Sequence, residues 1–206
     1  IFGDVFTNTT GGNLIVQYSV VPVSEAGCPG TAGQVNLTVS PQHTLAPNLT
    51  DVICSTVDAV NAPLVVATGS IAADLFQITA INNPSGLTAV AGAPELGTFN
   101  SVVLLDDRWE NLTGAGATIE YFIRPINSIT TCVGDPPLPV TVTVNPEPQV
   151  TSPTTETICS GSSPTITLTS SLGVTSSFTW TVKSITGFIS GASNGTGSAI
   201  TNVLIN

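Results

Sequence analysis

Few residues in this chain could do chemistry, and their spacing says more than their types. Cysteines stand at 28, 54, 132 and 159; Cys54 and Cys159 lie in ICST and ICSG, 105 positions apart, and Cys28 and Cys132 are 104 apart. The single imidazole, His43, sits in SPQHTLAP, and the densest charge is LLDDRWEN, with Asp106, Asp107, Arg108, Trp109 and Glu110. Nucleophilic catalysis needs a base beside the nucleophile, and a linker histidine between prolines is expected to be solvated. Carboxylates adjacent on one loop form a solvated turn rather than the facing pair of a glycosidase. No P-loop or dinucleotide fingerprint occurs, and GASNGTG (191–197) is a turn with no helix after it. The expectation is a protein without a catalytic site.

Two binding chemistries remain to be weighed. Calcium takes clustered oxygen ligands, so Asp106, Asp107 and Glu110, with Asp135 as an outlying fourth, are candidate ligands, although no EF-hand pattern is present. The expectation is no cofactor, with calcium as the alternative. The cysteines are too dispersed for a zinc site. Trp109 beside carboxylates could contact a sugar or anchor a partner if exposed; in the plainer reading it belongs to a longer hairpin and folds back onto the sheet. Five N-x-T sequons, at Asn8, Asn36, Asn48, Asn111 and Asn194, arise readily in a Thr-rich chain.

The elements that must position these residues follow from composition. In 206 residues there are only three cations, Arg108, Arg124 and Lys183, and the net charge is −10. Nucleic-acid binding needs clustered Lys and Arg, so that class is excluded. The apolar runs, such as APLVVA, are strand length, far short of a membrane span. Thr, Val, Ile, Gly and Pro dominate and Met is absent, the mix of short strands joined by tight turns. Almost no helix is expected.

The cysteine spacing is one sign of a repeat. NLTVSP (36–41) matches TVTVNP (141–146), NTTGGNLIVQYSVVP (8–22) lies over NLTGAGATIEYFIRP (111–125) without a gap, and FTWTV (178–182) falls over FQITA (76–80). Each unit starts after VSP or VNP. The chain then divides into 1–41, the C-terminal part of a first repeat; 42–146, a complete repeat; and 147–206, the N-terminal part of a third. The opening IFGDVFTNTT lacks Met and a basic leader and reads as the middle of something longer.

SFTWTVK, PVTVTVNP, IEYFIRP and LIVQYSV alternate with a period of two, which predicts half-buried antiparallel strands. About seven such strands per 100 residues, with turn signals roughly every ten, predict an all-β fold of tandem β-sandwiches. Trp180, Tyr18 and Tyr121 are expected in cores, while Ile78 stands in the complete unit where the third has Trp180. The complete unit also carries an insertion of about five residues around LLDDRWEN.

ICSG opening a unit, FTWTV on a middle strand, N-x-T-G followed by Tyr and Pro, a cysteine shortly after and VTVTVNP at the end together resemble the PKD-like repeats of Bacteroidetes cell-surface proteins. The combination is most similar to the giant gliding-motility adhesins of Flavobacterium-type bacteria. ICST and Ile78 in the complete unit depart from the pattern. The resemblance implies immunoglobulin-like antiparallel sandwiches, export to the cell surface, and a non-catalytic role as stalk or adhesive filament in gliding. The partners implied are adjacent repeats of the same chain and a surface polysaccharide or substratum, with no membrane insertion. The alternative is a carbohydrate-binding or spacer module of a secreted multidomain hydrolase.

Two cysteines per unit in an exported protein suggest disulfides. A Cys54–Cys132 bond within the complete unit ranks first and would close a loop of nearly 80 residues, a constraint of about 4 kcal/mol. The alternative pairs Cys28 with Cys54 and Cys132 with Cys159; the third option is four free thiols. Geometry troubles both pairings, because the bridged positions fall at opposite ends of a sandwich or far from a unit boundary.

Overall fold

The computed structural model describes residues 3–92 and 95–206. Eleven strands are present among them, and the only helical turn is a 3-10 turn at Ser171–Gly173. The first two strands, β1 (Leu14–Val20) and β2 (Gly33–Val39), form a seven-rung antiparallel hairpin.

Seven strands follow between residues 50 and 145. They are β3 (Thr50–Cys54), β4 (Leu75–Asn82), β5 (Leu87–Ala91), β6 (Gly97–Phe99), β7 (Arg108–Asn111), β8 (Ala117–Ile126) and β9 (Leu138–Asn145). One sheet runs β3-β9-β8-β4-β6; a second, smaller one pairs β5 with β7. The period-two strands do as their sequences require: Ile119, Tyr121 and Ile123 of β8 and Val140, Val142 and Val144 of β9 are fully buried, and the residues between them are not. The antiparallel expectation fails at one edge. β3 pairs parallel with β9, Cys54 opposite Asn145. The connection between them spans the whole unit, so no tight turn constrains its direction.

The run APLVVA also departs from a regular strand. Residues 60–66 are extended, with Val60, Ala62 and Leu64 buried in alternation. Their backbone bonds are sparse: Val60 N–H donates to Asp107 at 2.9 Å and Leu64 N–H to Ser101 at 2.8 Å. Pro63 offers no donor to a ladder. This run and the turn-rich segment 101–107 complete the layer begun by β5 and β7. Between the layers lies one apolar cluster, and every buried apolar residue among those described falls between Leu45 and Val144.

The remaining residues carry only β10 (Thr179–Trp180) and β11 (Gly195–Thr196), paired over two rungs. Trp180 is therefore only half-buried, as is Tyr18 on β1. Tyr121, by contrast, is fully enclosed. The expected core placement holds for the tyrosine whose covering strands are present and not for the other two aromatics.

Candidate functional site

The charge-rich insertion folds as an alternating segment. Asp107, Trp109 and Asn111 turn inward and are buried, while Asp106 and Arg108 face solvent and Glu110 is half-buried. Trp109 is 2% exposed, so of its two readings the ligand contact lacks the exposure it needs and the residue folds back onto the sheet: it is the aromatic of the core that Ile78 does not supply. Its indole N–H donates to the Tyr121 hydroxyl at 3.1 Å, and that hydroxyl donates to Asp107 Oδ2 at 2.7 Å. A buried indole and phenol each find a partner in this way.

Asp107 completes the chain at a cost. Its Oδ1 is buried with no hydrogen-bond partner among the described residues. Desolvation pushes its carboxyl up to about 6, the Tyr121 hydroxyl holding it down somewhat and Asp106 adding to the rise. Tyr121 is pushed well above its ordinary value, first by burial and then by the Asp107 charge. Gly92, at φ +73°, lies directly against Asp107: a Cβ there would meet its carboxylate at 2.5 Å. An open groove of about 1050 Å³ passes over this region, lined in part by Ile78, Phe99, Val103, Leu104, Asp106 and Asp107. Its titratable lining is the exposed carboxylates of Glu95 and Asp106 and the buried Asp107, which is already committed to Tyr121; no His, Cys, Lys or Arg stands among the lining residues.

The same alternation separates the candidate calcium ligands. Asp106, Asp107 and Glu110 diverge, and among the described residues no three His, Cys, Asp or Glu side chains gather as a metal site. Asp135 instead faces Arg124 Nη1 at 3.8 Å. His43, expected in solvent, is 1% exposed, its Nδ1 at 3.3 Å from the Ile71 carbonyl. The linker carrying it packs under the loop at Gly134, which leaves no room for a Cβ against the His43 carbonyl.

All four cysteines are free; Cys28, Cys54 and Cys159 are exposed and Cys132 is half-buried. The first-ranked Cys54–Cys132 bond is not formed. Cys54 lies level with Asn145 at one end of β9, and Cys132 precedes the other end, so about 25 Å of extended strand separates their levels. The in-chain alternatives fail for a related reason. Cys28 belongs to the end of the first hairpin remote from the middle unit, and Cys159 lies beyond the start of the third piece, bonded around Gly161 and Leu204. Partial desolvation, followed by the nearby Asp58 carboxylate, raises the Cys54 thiol.

The feature that sequence reasoning missed is at the sequons. Asn111 is 2% exposed; its Nδ2 donates to Ala115 O at 2.9 Å and Val144 O at 2.7 Å, and its Oδ1 accepts from Thr113 N–H at 2.8 Å and Thr113 Oγ1 at 2.7 Å. Asn8, 4% exposed, repeats every bond: to Gly12 O at 2.8 Å and Val39 O at 2.7 Å, and from Thr10 N–H at 2.9 Å and Thr10 Oγ1 at 2.7 Å. N-x-T-G is a clamp that ties the loop before one strand to the end of the next. The signal was available: the motif falls at matching positions of both repeat copies.

Each clamped loop reaches the following piece. A Cβ on Gly11 would lie 3.4 Å from the Gly69 carbonyl, and one on Gly114 would strike the Leu172 carbonyl. Thr56 adds a 2.8 Å bond to Glu147 across the second junction. Two junctions made by the same loop, on partners at matching positions, define a class: an all-β protein of tandem immunoglobulin-like units joined end to end. Residues 1–43 and 156–206 are similar to the family of the PKD-like domain. No curated protein and no solved structure shows a significant match. PKD-like domains are generally non-catalytic modules of extracellular proteins, and no catalytic family is indicated. No helix among the described residues is long and apolar enough to cross a membrane.

Proposed function

We propose that this chain is a non-catalytic segment of a cell-surface stalk or adhesive filament, exported from the cell and serving attachment during gliding. The observation that carries the reading is the repeated junction. The same Asn-Thr clamp presents the same glycine loop to the next unit at Gly11 and at Gly114. Units joined by one recurring contact stack in a fixed relation, and stability then resides in each unit and its neighbour interfaces. The physical service of such a chain is reach, with adhesion delivered by many weak contacts acting together. The competing reading, a carbohydrate-binding module of a hydrolase, loses its aromatic platform because Trp109 is buried; a spacer role beside a hydrolase is the form of it that survives.

The test is antibody raised against the chain and applied to unpermeabilised source cells. Filamentous surface labelling, with loss of attachment to glass when antibody fragments are added, is the expected result. Labelling only after permeabilisation, or a hydrolase activity carried on the same polypeptide, overturns it.

A further inference from the structure

The middle unit keeps one carboxylate oxygen that its own structure does not use. Asp107 is 1% exposed; its Oδ2 accepts from the Tyr121 hydroxyl, and its Oδ1 has no hydrogen-bond partner among the described residues. The strut to Tyr121 needs a single acceptor, which an asparagine would supply without burying a charge. A carboxylate in that place carries a desolvation cost that the fold alone does not recover. Gly92 lacks the Cβ that would crowd Oδ1, and both residues line the open groove of about 1050 Å³.

That groove runs between the two layers, at the β6 end of the larger sheet and away from β3. Ile78, Phe99, Val103 and Leu104 give it apolar walls, and Glu95 and Asp106 stand exposed along it. Among the described residues β6 pairs only with β4, and β5 only with β7, so an unpaired strand edge borders the groove in each layer. Free edges of this kind accept an added strand. Gly69, Gly114 and Thr56, which meet the flanking pieces, are not among the lining residues. The groove belongs to the middle unit alone.

We propose that this groove docks an extended, lysine-bearing segment of a partner protein, which adds to the free edge of β6 and places its lysine ammonium at Asp107 Oδ1. The occupant is argued from charge and from the number of acceptors on offer. Three carboxylates and no basic side chain line the groove, which selects a cation. A second copy of this chain, with a net charge of −10 and three cations, is repelled by the same carboxylates. Because Tyr121 holds Oδ2, Asp107 offers a single oxygen. One oxygen suits the point charge of an ammonium, whereas a guanidinium binds best to both. The apolar walls cover the aliphatic stem of the lysine. An extended segment turns alternate side chains to one face, so an apolar residue two positions from the lysine enters the same groove. This inference concerns the middle unit and does not depend on the cell-surface role, so either can fail alone.

The experiment titrates the full chain by calorimetry with a short capped peptide of alternating threonine and valine, carrying lysine in a central valine position. Replacing that lysine by norleucine should weaken binding by about tenfold or more, and replacing it by arginine should weaken it less. Free cadaverine, which has the ammonium and stem without a backbone, should bind far more weakly than the peptide. Asp107→Asn keeps an acceptor for Tyr121; it should weaken the lysine peptide by about tenfold or more and leave the norleucine peptide unaffected. Val102→Arg, at an exposed position on the groove, should abolish binding while leaving the melting of the middle unit unchanged. Glu95→Gln with Asp106→Asn should slow association and reduce its salt dependence. No binding at millimolar peptide, equal binding of the norleucine peptide or of cadaverine, or binding that survives both Asp107→Asn and Val102→Arg overturns the proposal. So does self-association of the chain that Lys183→Ala abolishes, since the groove then holds a second copy.

Discussion

Tyr121 and Asp107 share a buried hydrogen bond of 2.7 Å, and among the described residues the tyrosine is the only side-chain partner the carboxylate has. The bond joins β8 to the segment leading into β7, and through Trp109 it ties the charge-rich insertion to the core. What looks in sequence like a surface patch is a structural strut.

Its pH dependence has a definite sign. Desolvation lifts Asp107 to about 6 from an ordinary 3.8. The native state therefore binds a proton more readily than the unfolded chain, and stability falls as pH rises from about 4 to about 6, then levels. The drop should be on the order of 2–3 kcal/mol. Asp74, held low chiefly by its Ser128 hydrogen bonds, acts oppositely, its contribution fading only as pH falls below about 4. Urea melts at pH 4.5, 6 and 7.5 should show the decline, and Asp107→Asn should flatten it.

Tyr121→Phe removes the group both neighbours depend on. It should destabilise the middle unit by about 2–3 kcal/mol, since a buried indole N–H and a buried carboxylate lose their shared partner. Trp109→Ala should cost more, about 3–5 kcal/mol, through the cavity it leaves. Calorimetry measures both. If Trp109→Ala leaves the melting temperature unchanged, the residue is not in the core.

The asparagine clamp should behave as a unit. Asn111→Ala deletes two donors and the acceptor for Thr113, with an expected loss of about 2–3 kcal/mol in the middle unit. Asn8→Ala should leave that unit's melting unchanged and speed hydrogen exchange at the β1–β2 hairpin.

Gly114→Ala tests the junction rather than the unit. The added methyl meets the Leu172 carbonyl, a backbone atom that can retreat only if the third piece moves. Small-angle scattering should show a changed spread of end-to-end distances, with the calorimetric transition of the middle unit unaltered.

Calcium offers a further check. Because Asp106 faces out, Asp107 faces in and Asp135 engages Arg124, millimolar calcium should not shift the melting temperature. A rise of several degrees that is lost in Asp106→Asn would contradict this divergence of the carboxylates.

The limits of sequence reading show at particular residues. Alternation in PVTVTVNP and IEYFIRP was enough to name β8 and β9 and their buried faces, since period two is a local property of an extended chain. The run LLDDRWEN offered no such reading. Its charges masked an alternation in which Asp107 and Trp109 point inward, and only the position of Tyr121 across the core decides that. His43 was assigned to solvent because it follows a strand-ending Pro; its burial depends on the loop at Gly134, ninety residues away.

By itself the sequence determined the all-β class and the repeated spacing, because residue periodicity and register are written along the chain. Tertiary structure alone decided that β3 runs parallel to β9, that N-x-T-G is a clamp, that Trp109 fills the core and that Cys54 cannot reach Cys132. The reason is physical: strand direction, burial and the separation of two thiols are set by which distant segments pack together, and no local pattern carries that information.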